Sequence, residues 1–163
     1  MIPRIEIIKD KNFLGKQLKM SLAQNKTQDL WKGFMQQKKE INNMVGSNLY
    51  SIQVYDATLA FNDFTPQVFF TKWAAAEVKD YDTIPQSMEP FILPGGLYAV
   101  FIHKGLASNF HKTMGHIYGV WLPQSSYVLD QRPHFEILGE KYKNNSEDSE
   151  EEVWIPIKSK VLS

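Results

Sequence analysis

The same order of predicted elements occurs twice along the chain, about 76 residues apart. Each copy reads strand, helix, strand, strand, and three matched positions anchor the comparison: Phe34 with Phe110, Leu49-Tyr50 with Ser126-Tyr127, and Glu77-Val78 with Glu152-Val153. A period of this length indicates an internal duplication whose two units bury their apolar faces against each other. The alternative is an α+β domain that contains two strand–helix–strand runs without any duplication.

Apolar spacing close to 3.6 residues predicts two helices. The first is expected from Asn25 or Thr27 to Gly46, with apolar positions at Leu30, Phe34, Ile41, Met44 and Val45. The second is expected to end at Pro123, with apolar positions at Phe110, Met114, Ile117 and Trp121. Alternating or aromatic runs predict strands at residues 4–8, 13–21, 49–55, 68–78, 97–103, 127–129, 133–139 and 153–157.

These elements predict one α+β domain over residues 1–163. Repeat one is expected at about residues 1–80, a proline-containing connector at about 81–93, and repeat two at about 94–160. Two βαββ units related by a pseudo-twofold axis would form an antiparallel sheet covered on one face by two helices. The opposite face would then offer a ligand cleft between the repeats.

Composition and missing motifs exclude several classes of protein. The chain has no cysteine, which excludes disulfides and thiolate chemistry, and its 18 Lys and Arg balance its 18 Asp and Glu, which disfavours nucleic acid as the main partner. Glycine motifs for phosphate binding are missing, and His111 and His116 are five positions apart on the second predicted helix, so we expect no cofactor and no metal. No signal peptide and no membrane-spanning run are found, so a cytoplasmic location away from the membrane is expected.

Aromatic residues make up 13% of the chain, which predicts either an aromatic core or an aromatic cavity. Two glutamates lie within aromatic sequence: Glu136 shares a strand face with His134, and Glu77 shares one with Phe69 and Trp73. Each carboxylate is either solvent-exposed or half-buried. A half-buried carboxylate can pair with an organic cation held by ring faces, or it can act as a general acid or base.

Four segments in this order resemble the GyrI-like small-molecule-binding family: PGGLYAVFIHKG at residues 94–105, IYGVWLPQS at 117–125, PHFE at 133–136 and EVWIPI at 152–157. That family includes the effector-binding domains of bacterial multidrug-responsive transcription activators and also standalone proteins. The first half of the chain is similar to the family's more divergent first repeat, so the resemblance extends over nearly the whole sequence.

The resemblance implies an aromatic cleft between two repeats that binds amphipathic ligands, often cationic or aromatic. The family's Phe/Tyr–Glu motif is Phe135-Glu136 here, which makes Glu136 the first candidate for a pocket carboxylate. Family pockets also use the aromatic residue at Tyr98 and those near Trp121. Strand and helix geometry adds three further candidates, Phe69, Trp73 and Tyr118.

Three functions remain open. The favoured one is a standalone protein that binds or senses a small organic ligand without contacting DNA directly, since no helix-turn-helix is expected before the first strand. The second is a hydrolase of strained-ring or other toxic natural products, in which Glu136 activates water and Tyr98, His134 or Glu77 supplies a second polar group. The third is a gyrase-inhibitor-like role, in which gyrase or a separate regulator contacts the acidic run Ser146 to Glu152, predicted here to be a hydrated loop.

Overall fold

A computed structural model of the chain describes residues 1–60 and 63–160. Over these residues the chain forms nine strands: β1 (Arg4–Ile8), β2 (Lys11–Met20), β3 (Leu49–Val54), β4 (Phe70–Glu77), β5 (Glu89–Leu93), β6 (Gly96–Lys104), β7 (Tyr127–Leu129), β8 (His134–Leu138) and β9 (Glu150–Ser159). Helix α1 (Thr27–Gln37) lies between β2 and β3. A second helical segment begins with a 3₁₀ turn (Ala107–Asn109) and continues as α2 (Phe110–His116), a π-helical turn (Ile117–Trp121) and α3 (Leu122–Gln124). None of the helices in the described ranges is long and apolar enough to cross a membrane.

The strands form one antiparallel sheet in the order β1-β6-β9-β8-β3-β4-β2-β5, with β7 paired to β9. This arrangement confirms the predicted α+β class. The run β6-β9-β8 on one side of the centre mirrors β2-β4-β3 on the other, and β3 and β8 meet in the middle. The duplication and the repeat boundaries themselves stay predictions.

Strand β5 forms inside the segment at residues 81–93 that the sequence predicts to be a connector. The proline content of that segment masked the strand, because proline lacks the N–H that an interior strand donates. Pro90 is tolerated because β5 pairs with β2 alone and lies at the edge of the sheet.

The first predicted helix is too long at its C-terminal end. Helix α1 ends at Gln37 and a 3₁₀ turn carries the chain to Glu40, after which Ile41 is extended and Met44 bridges Val78. The apolar positions beyond Glu40 keep a helical spacing in the sequence, which is why the pattern predicts a longer helix. In the structure Ile41 and Met44 pack against the same apolar cluster as α1, from extended backbone.

Both helical segments pack on the same face of the sheet. Helix α1 covers a cluster that contains Leu14 and Ala74, and the second helical segment covers one that contains Ala99 and Ile155. Because the helices cover the strands on either side, no helix formed by residues 1–60 and 63–160 lies above the middle of this face, over β3 and β8.

The opposite face of the sheet is filled by one cluster of buried side chains. Phe135 stacks on Trp154 with ring centroids 5.1 Å apart, and Phe13 meets Tyr50 edge-on at 4.7 Å. The prediction that the ligand cleft lies on the face opposite the helices is therefore wrong: among the described residues the large rings of that face pack against one another, and the large cavity opens on the helix-bearing face.

Candidate functional site

A cavity of about 1730 Å³ opens on the helix-bearing face, between α1 and the second helical segment. Strands β3 and β8 form its floor, since neither helix covers them. Cavities that hold drug-sized ligands are about 300 to 1,000 Å³. This cavity is therefore large enough for a bulky organic molecule.

The floor is polar although the sheet around it is apolar. Ser51 of β3 stands directly opposite Glu136 of β8, and Gln53 stands opposite His134 in the same antiparallel register. Strand alternation puts all four side chains on the face that carries the helices. The line of polar groups thus lies along the middle of the cavity floor.

Glu136 is buried within this floor, with 8% of its surface exposed. The side-chain amide of Gln53 donates a hydrogen bond to Oε1 of Glu136 at 3.1 Å. Burial raises the pKa of Glu136 to about 7, although the positive charge of Lys72 and hydrogen bonds from Gln53 and Ser51 favour the carboxylate form. Near neutral pH this side chain can therefore be either an acid or an anion.

Glu151 is a second carboxylate at the same cavity, contributed by β9. The β8–β9 register pairs Glu136 with Val153, so Glu151 is the diagonal neighbour of Glu136 on the same face. Burial and the negative charge of Glu136 raise the pKa of Glu151 to about 7, and Lys72 opposes this shift. The two carboxylates are electrostatically coupled.

Glu151 is not among the predicted site residues, because it lies in the acidic run from Ser146 to Glu152 that was predicted to be a hydrated loop. The structure begins β9 at Glu150, so that prediction is wrong for the last three residues of the run. A signal was present: Glu151 continues the period-two pattern of Val153 and Ile155 toward the N-terminus.

Lys72 is the cation of this group. It belongs to β4, where the register sets it opposite Gln53, and it lines the cavity. Its Nζ donates a hydrogen bond to Oγ1 of Thr27 at 3.2 Å, at the start of α1. Lys72 therefore links the first turn of the helix to the charged floor.

Aromatic side chains form much of the cavity wall: Trp31, Tyr55, Phe64, Phe70, Phe110 and Tyr118. Tyr55 is central among them, because its ring meets Phe64 edge-on at 5.7 Å and the imidazole of His134 edge-on at 5.1 Å. Sequence reasoning did not assign Tyr55 or Phe64 to a site. Phe64 lies in the loop after β3, where no period marks which side chains point inward. Tyr55 directly follows β3 and continues the alternation of Ser51 and Gln53, a signal that could have located it.

Tyr118 and His134 form a polar contact beside Glu136. The Oη of Tyr118 lies 3.1 Å from Nδ1 of His134. Burial and the nearby charge of Arg132 lower the pKa of His134 to about 4, and burial raises the pKa of Tyr118 well above its usual value. Both groups are therefore neutral at physiological pH, and His134 adds no positive charge to the floor.

Of the eight site residues predicted from the sequence, the structure brings Glu136, His134 and Tyr118 to the cavity. The other five lie elsewhere. Trp73 and Tyr98 belong to the cluster on the opposite face, and Trp121 packs against Phe101 and Tyr127. Phe69 is half-exposed outside the cavity, and Glu77 forms an ion pair with Lys11 at 3.4 Å.

Within residues 1–60 and 63–160, no group of three or more His, Asp or Glu side chains is arranged to hold a metal ion. The donor set of the floor consists of two carboxylates, an amide, a hydroxyl and an imidazole in aromatic surroundings. Those groups are suited to recognising an organic molecule.

An α+β domain with a large aromatic cavity and a charged floor is a small-molecule-binding domain. The chain belongs to the GyrI-like family, since the model of the GyrI-like small molecule binding domain matches residues 1–158. A comparison with curated protein sequences gave no match.

Solved structures of related fold cover nearly the whole chain. SAV2435 bound to tetraphenylphosphonium has a TM-score of 0.69 at 15% identity, covering 97% of this chain and 94% of SAV2435. The C-terminal domain of EcmrR has a TM-score of 0.72 at 14% identity, covering 98% of this chain and 99% of that domain. A hydrolase from Listeria innocua has a TM-score of 0.60 at 14% identity, covering 96% of this chain and 92% of the hydrolase. At these identities the likeness concerns the fold.

Proposed function

We propose that this protein binds hydrophobic organic cations in the cavity between α1 and the second helical segment. The observation that carries the proposal is the pair of carboxylates, Glu136 and Glu151, buried in one aromatic cavity. A buried carboxylate is costly unless a positive charge or hydrogen bonds compensate it. A cationic ligand supplies that compensation, which a neutral ligand of the same shape does not.

The aromatic wall supports the same ligand class. The faces of Trp and Tyr rings attract cations by about 0.5 to 2 kcal/mol each, and the remaining ring surface favours apolar groups. Trp31 and Tyr55 line the cavity together with Phe110, so rings approach it from α1, from the loop after β3 and from the second helical segment. A bulky cation whose charge is wrapped in apolar groups matches this wall. Tetraphenylphosphonium, bound in the SAV2435 structure, is a cation of this kind.

The experiment is a calorimetric titration of the wild-type protein with tetraphenylphosphonium and with tetraphenylborate. These ions have nearly the same shape and opposite charges, so their difference isolates the electrostatic contribution. We expect saturable binding of the phosphonium and at least about tenfold weaker binding of the borate. Equal affinity for the two ions would contradict the proposal.

Two variants then test whether Glu136 supplies the negative charge that pairs with the ligand. Glu136→Gln keeps the shape of the side chain and removes its charge, so we expect tetraphenylphosphonium affinity to fall roughly 10- to 100-fold, the scale of losing a buried charge partner. Glu77→Gln is the matched control, because Glu77 lies outside the cavity and pairs with Lys11. It should leave the affinity unchanged.

A hydrolase is the second candidate, supported by the raised pKa of Glu136 and the second carboxylate beside it. A general base is most effective when its pKa is near the working pH. If Glu136 activates water, a cyclopropane-bearing substrate should gain the mass of one water molecule on incubation, and Glu136→Gln should abolish this while still binding the substrate. The similar fold of the hydrolase from Listeria innocua makes the assay worth running. A role for a protein partner such as gyrase, or for a separate regulator, stays a prediction.

A further inference from the structure

Lys72 is a charged residue near the two carboxylates of the cavity floor, and the binding of a cation gives it no role so far. Its side chain lines the same cavity as Glu136 and Glu151, and it approaches the floor from β4, opposite Gln53. Its Nζ is held by Thr27 of α1 at 3.2 Å. No carboxylate oxygen among the described residues lies within ion-pair distance of it, so Lys72 acts on the two glutamates across the cavity as a fixed charge.

We propose that Lys72 sets the number of positive charges that the cavity accepts: its ammonium balances one of the two carboxylates, so that the site takes ligands with a single positive charge. The inference rests on the proposed function and names the substrate class of that site. With both carboxylates ionised and Lys72 protonated, the floor carries one net negative charge. A monocation neutralises this floor, whereas a dication leaves an uncompensated positive charge in an apolar space.

The other groups that face the floor do not change this balance. Strand β3 contributes Ser51 and Gln53, which are uncharged, and β8 contributes His134, which is neutral at physiological pH. Asp130 and Arg132, at the rim before β8, pair with each other at 2.7 Å and cancel. Three further charged residues line the cavity but are exposed to solvent, which screens their charges: Asp56, Glu140 and Lys143. The selectivity for charge number therefore depends on Lys72.

The hydrogen bond between Lys72 and Thr27 also contributes to this selectivity, because it holds the lysine side chain in place. A lysine free to rotate would move away from an approaching cation into solvent, and its charge would then oppose binding only weakly. The hydrogen bond to Thr27 fixes the ammonium at the start of α1. The positive charge is thus kept at one place on the cavity wall, and a ligand's second charge cannot avoid it.

The test compares a monocation, tetraphenylphosphonium, with a dication made of two triphenylphosphonium groups joined by a four-carbon chain, near pH 8.5. We expect the wild-type protein to bind the monocation more tightly. In Lys72→Met the floor carries two negative charges, so the affinity for the dication should rise at least about tenfold more than that for the monocation. Lys72→Arg keeps the charge and should keep the wild-type preference. Lys9→Met removes an exposed lysine that does not line the cavity and is the control for net charge.

An unchanged ratio of the two affinities in Lys72→Met would overturn the inference. A second readout needs no ligand: carboxyl ¹³C NMR of Glu136 and Glu151 should show higher titration midpoints in Lys72→Met than in the wild type and in Lys72→Arg. If tetraphenylphosphonium does not bind the wild type, the proposed function fails. The NMR midpoints then decide on Lys72 separately, since equal midpoints in wild type and Lys72→Met overturn its charge-balancing role and raised midpoints support it.

Discussion

The side-chain amide of Gln53 donates a hydrogen bond to the carboxylate of Glu136 across the junction of β3 and β8, at 3.1 Å. The same Nε2 lies 3.1 Å from Oγ of Ser51, so one amide group joins both polar partners of the floor. This bond favours the anion, while burial disfavours it more strongly. When it is ionised, the carboxylate of Glu136 therefore lowers the stability of the folded protein.

The first prediction is that Glu136→Gln stabilises the fold at high pH. The pKa of Glu136 is raised from 4.5 to about 7 on folding, so the unfolded chain ionises first as pH rises. The wild type thus loses stability between about pH 4.5 and pH 7, and this penalty persists above pH 7. At 1.36 kcal/mol for each unit of pKa, we expect the variant to gain roughly 1 to 3 kcal/mol near pH 8 and much less near pH 4.5. Urea unfolding at both pH values measures the difference.

Glu77→Gln is again the control, since that carboxylate lies outside the cavity. It should show no gain of stability that grows with pH. A Glu136→Gln variant less stable than the wild type near pH 8 would mean that the carboxylate is not desolvated in the folded protein.

The second prediction concerns the pH dependence of ligand binding. A cation pairs with the ionised forms of Glu136 and Glu151, and both have a pKa of about 7. Affinity for tetraphenylphosphonium should therefore rise about tenfold or more between pH 5.5 and pH 8.5. His134, with a pKa of about 4, stays neutral over this range and does not oppose the trend. Calorimetry at several pH values tests this, and a constant affinity would speak against carboxylate pairing.

The third prediction separates the tryptophans by the face that they occupy. Trp31 lines the cavity, whereas Trp73 is buried in the cluster on the opposite face of the sheet. A bound ligand should quench Trp31, so Trp31→Phe should abolish most of the ligand-dependent fluorescence change. Trp73→Phe and Trp121→Phe should retain it. If Trp73→Phe loses the signal and Trp31→Phe retains it, the ligand binds on the face opposite the helices, and the proposed cavity is not its site.

The sequence could not show which face of the sheet carries the ligand cavity. In β4 the residues from Trp73 to Ala76 are all buried, because both faces of the sheet are covered. Alternation then separates the side chains into two sets without indicating which set lines a cavity. Strand geometry predicted Trp73 at the site and the family resemblance implied Tyr98, and both fall in the opposite set.

Other parts of the structure could be predicted from the sequence. Apolar spacing located the cores of both helices and most strands, and the Phe135-Glu136 motif identified a glutamate that the structure places at the cavity. Glu151 required knowledge of where β9 begins inside an acidic run. Lys72 could not be found in this way, because its importance comes from the pairing of β4 with β3, which no local pattern specifies.

The fourth prediction concerns the support of the cavity rim. Nη2 of Arg132 donates to the carbonyl of Ile157 at 3.2 Å and to that of Leu97, and its guanidinium lies 4.6 Å from the ring centroid of Tyr98. Lysine cannot reproduce this planar set of contacts. Arg132→Lys should therefore lower the free energy of unfolding by roughly 1 to 3 kcal/mol in urea denaturation.

Arg4→Lys provides the comparison. Arg4 also lies over an aromatic ring, that of Trp154 at 5.7 Å, but its ion pair with Glu6 is exposed to solvent. Exposed pairs contribute about 0 to 1 kcal/mol. Equal losses in the two variants would show that the buried carbonyl contacts of Arg132 contribute nothing to stability.

The pairing of β1 with β6 affects how the molecule can fold. Arg4 is in register with Val100, and β5, which precedes β6, closes the far side of the sheet by pairing with β2. The edge strand of each half of the sheet therefore comes from a distant part of the chain. Strand β1, at the N-terminus, borders β6, and β5, which lies just before β6, borders β2. Contacts between such distant residues carry a large loop-closure entropy and slow the search for the native state. During synthesis on the ribosome, the outer edge of β2 therefore remains unpaired until β5 has emerged, and β1 remains unpaired until β6 has emerged. In that interval the chain is open to capture by chaperones.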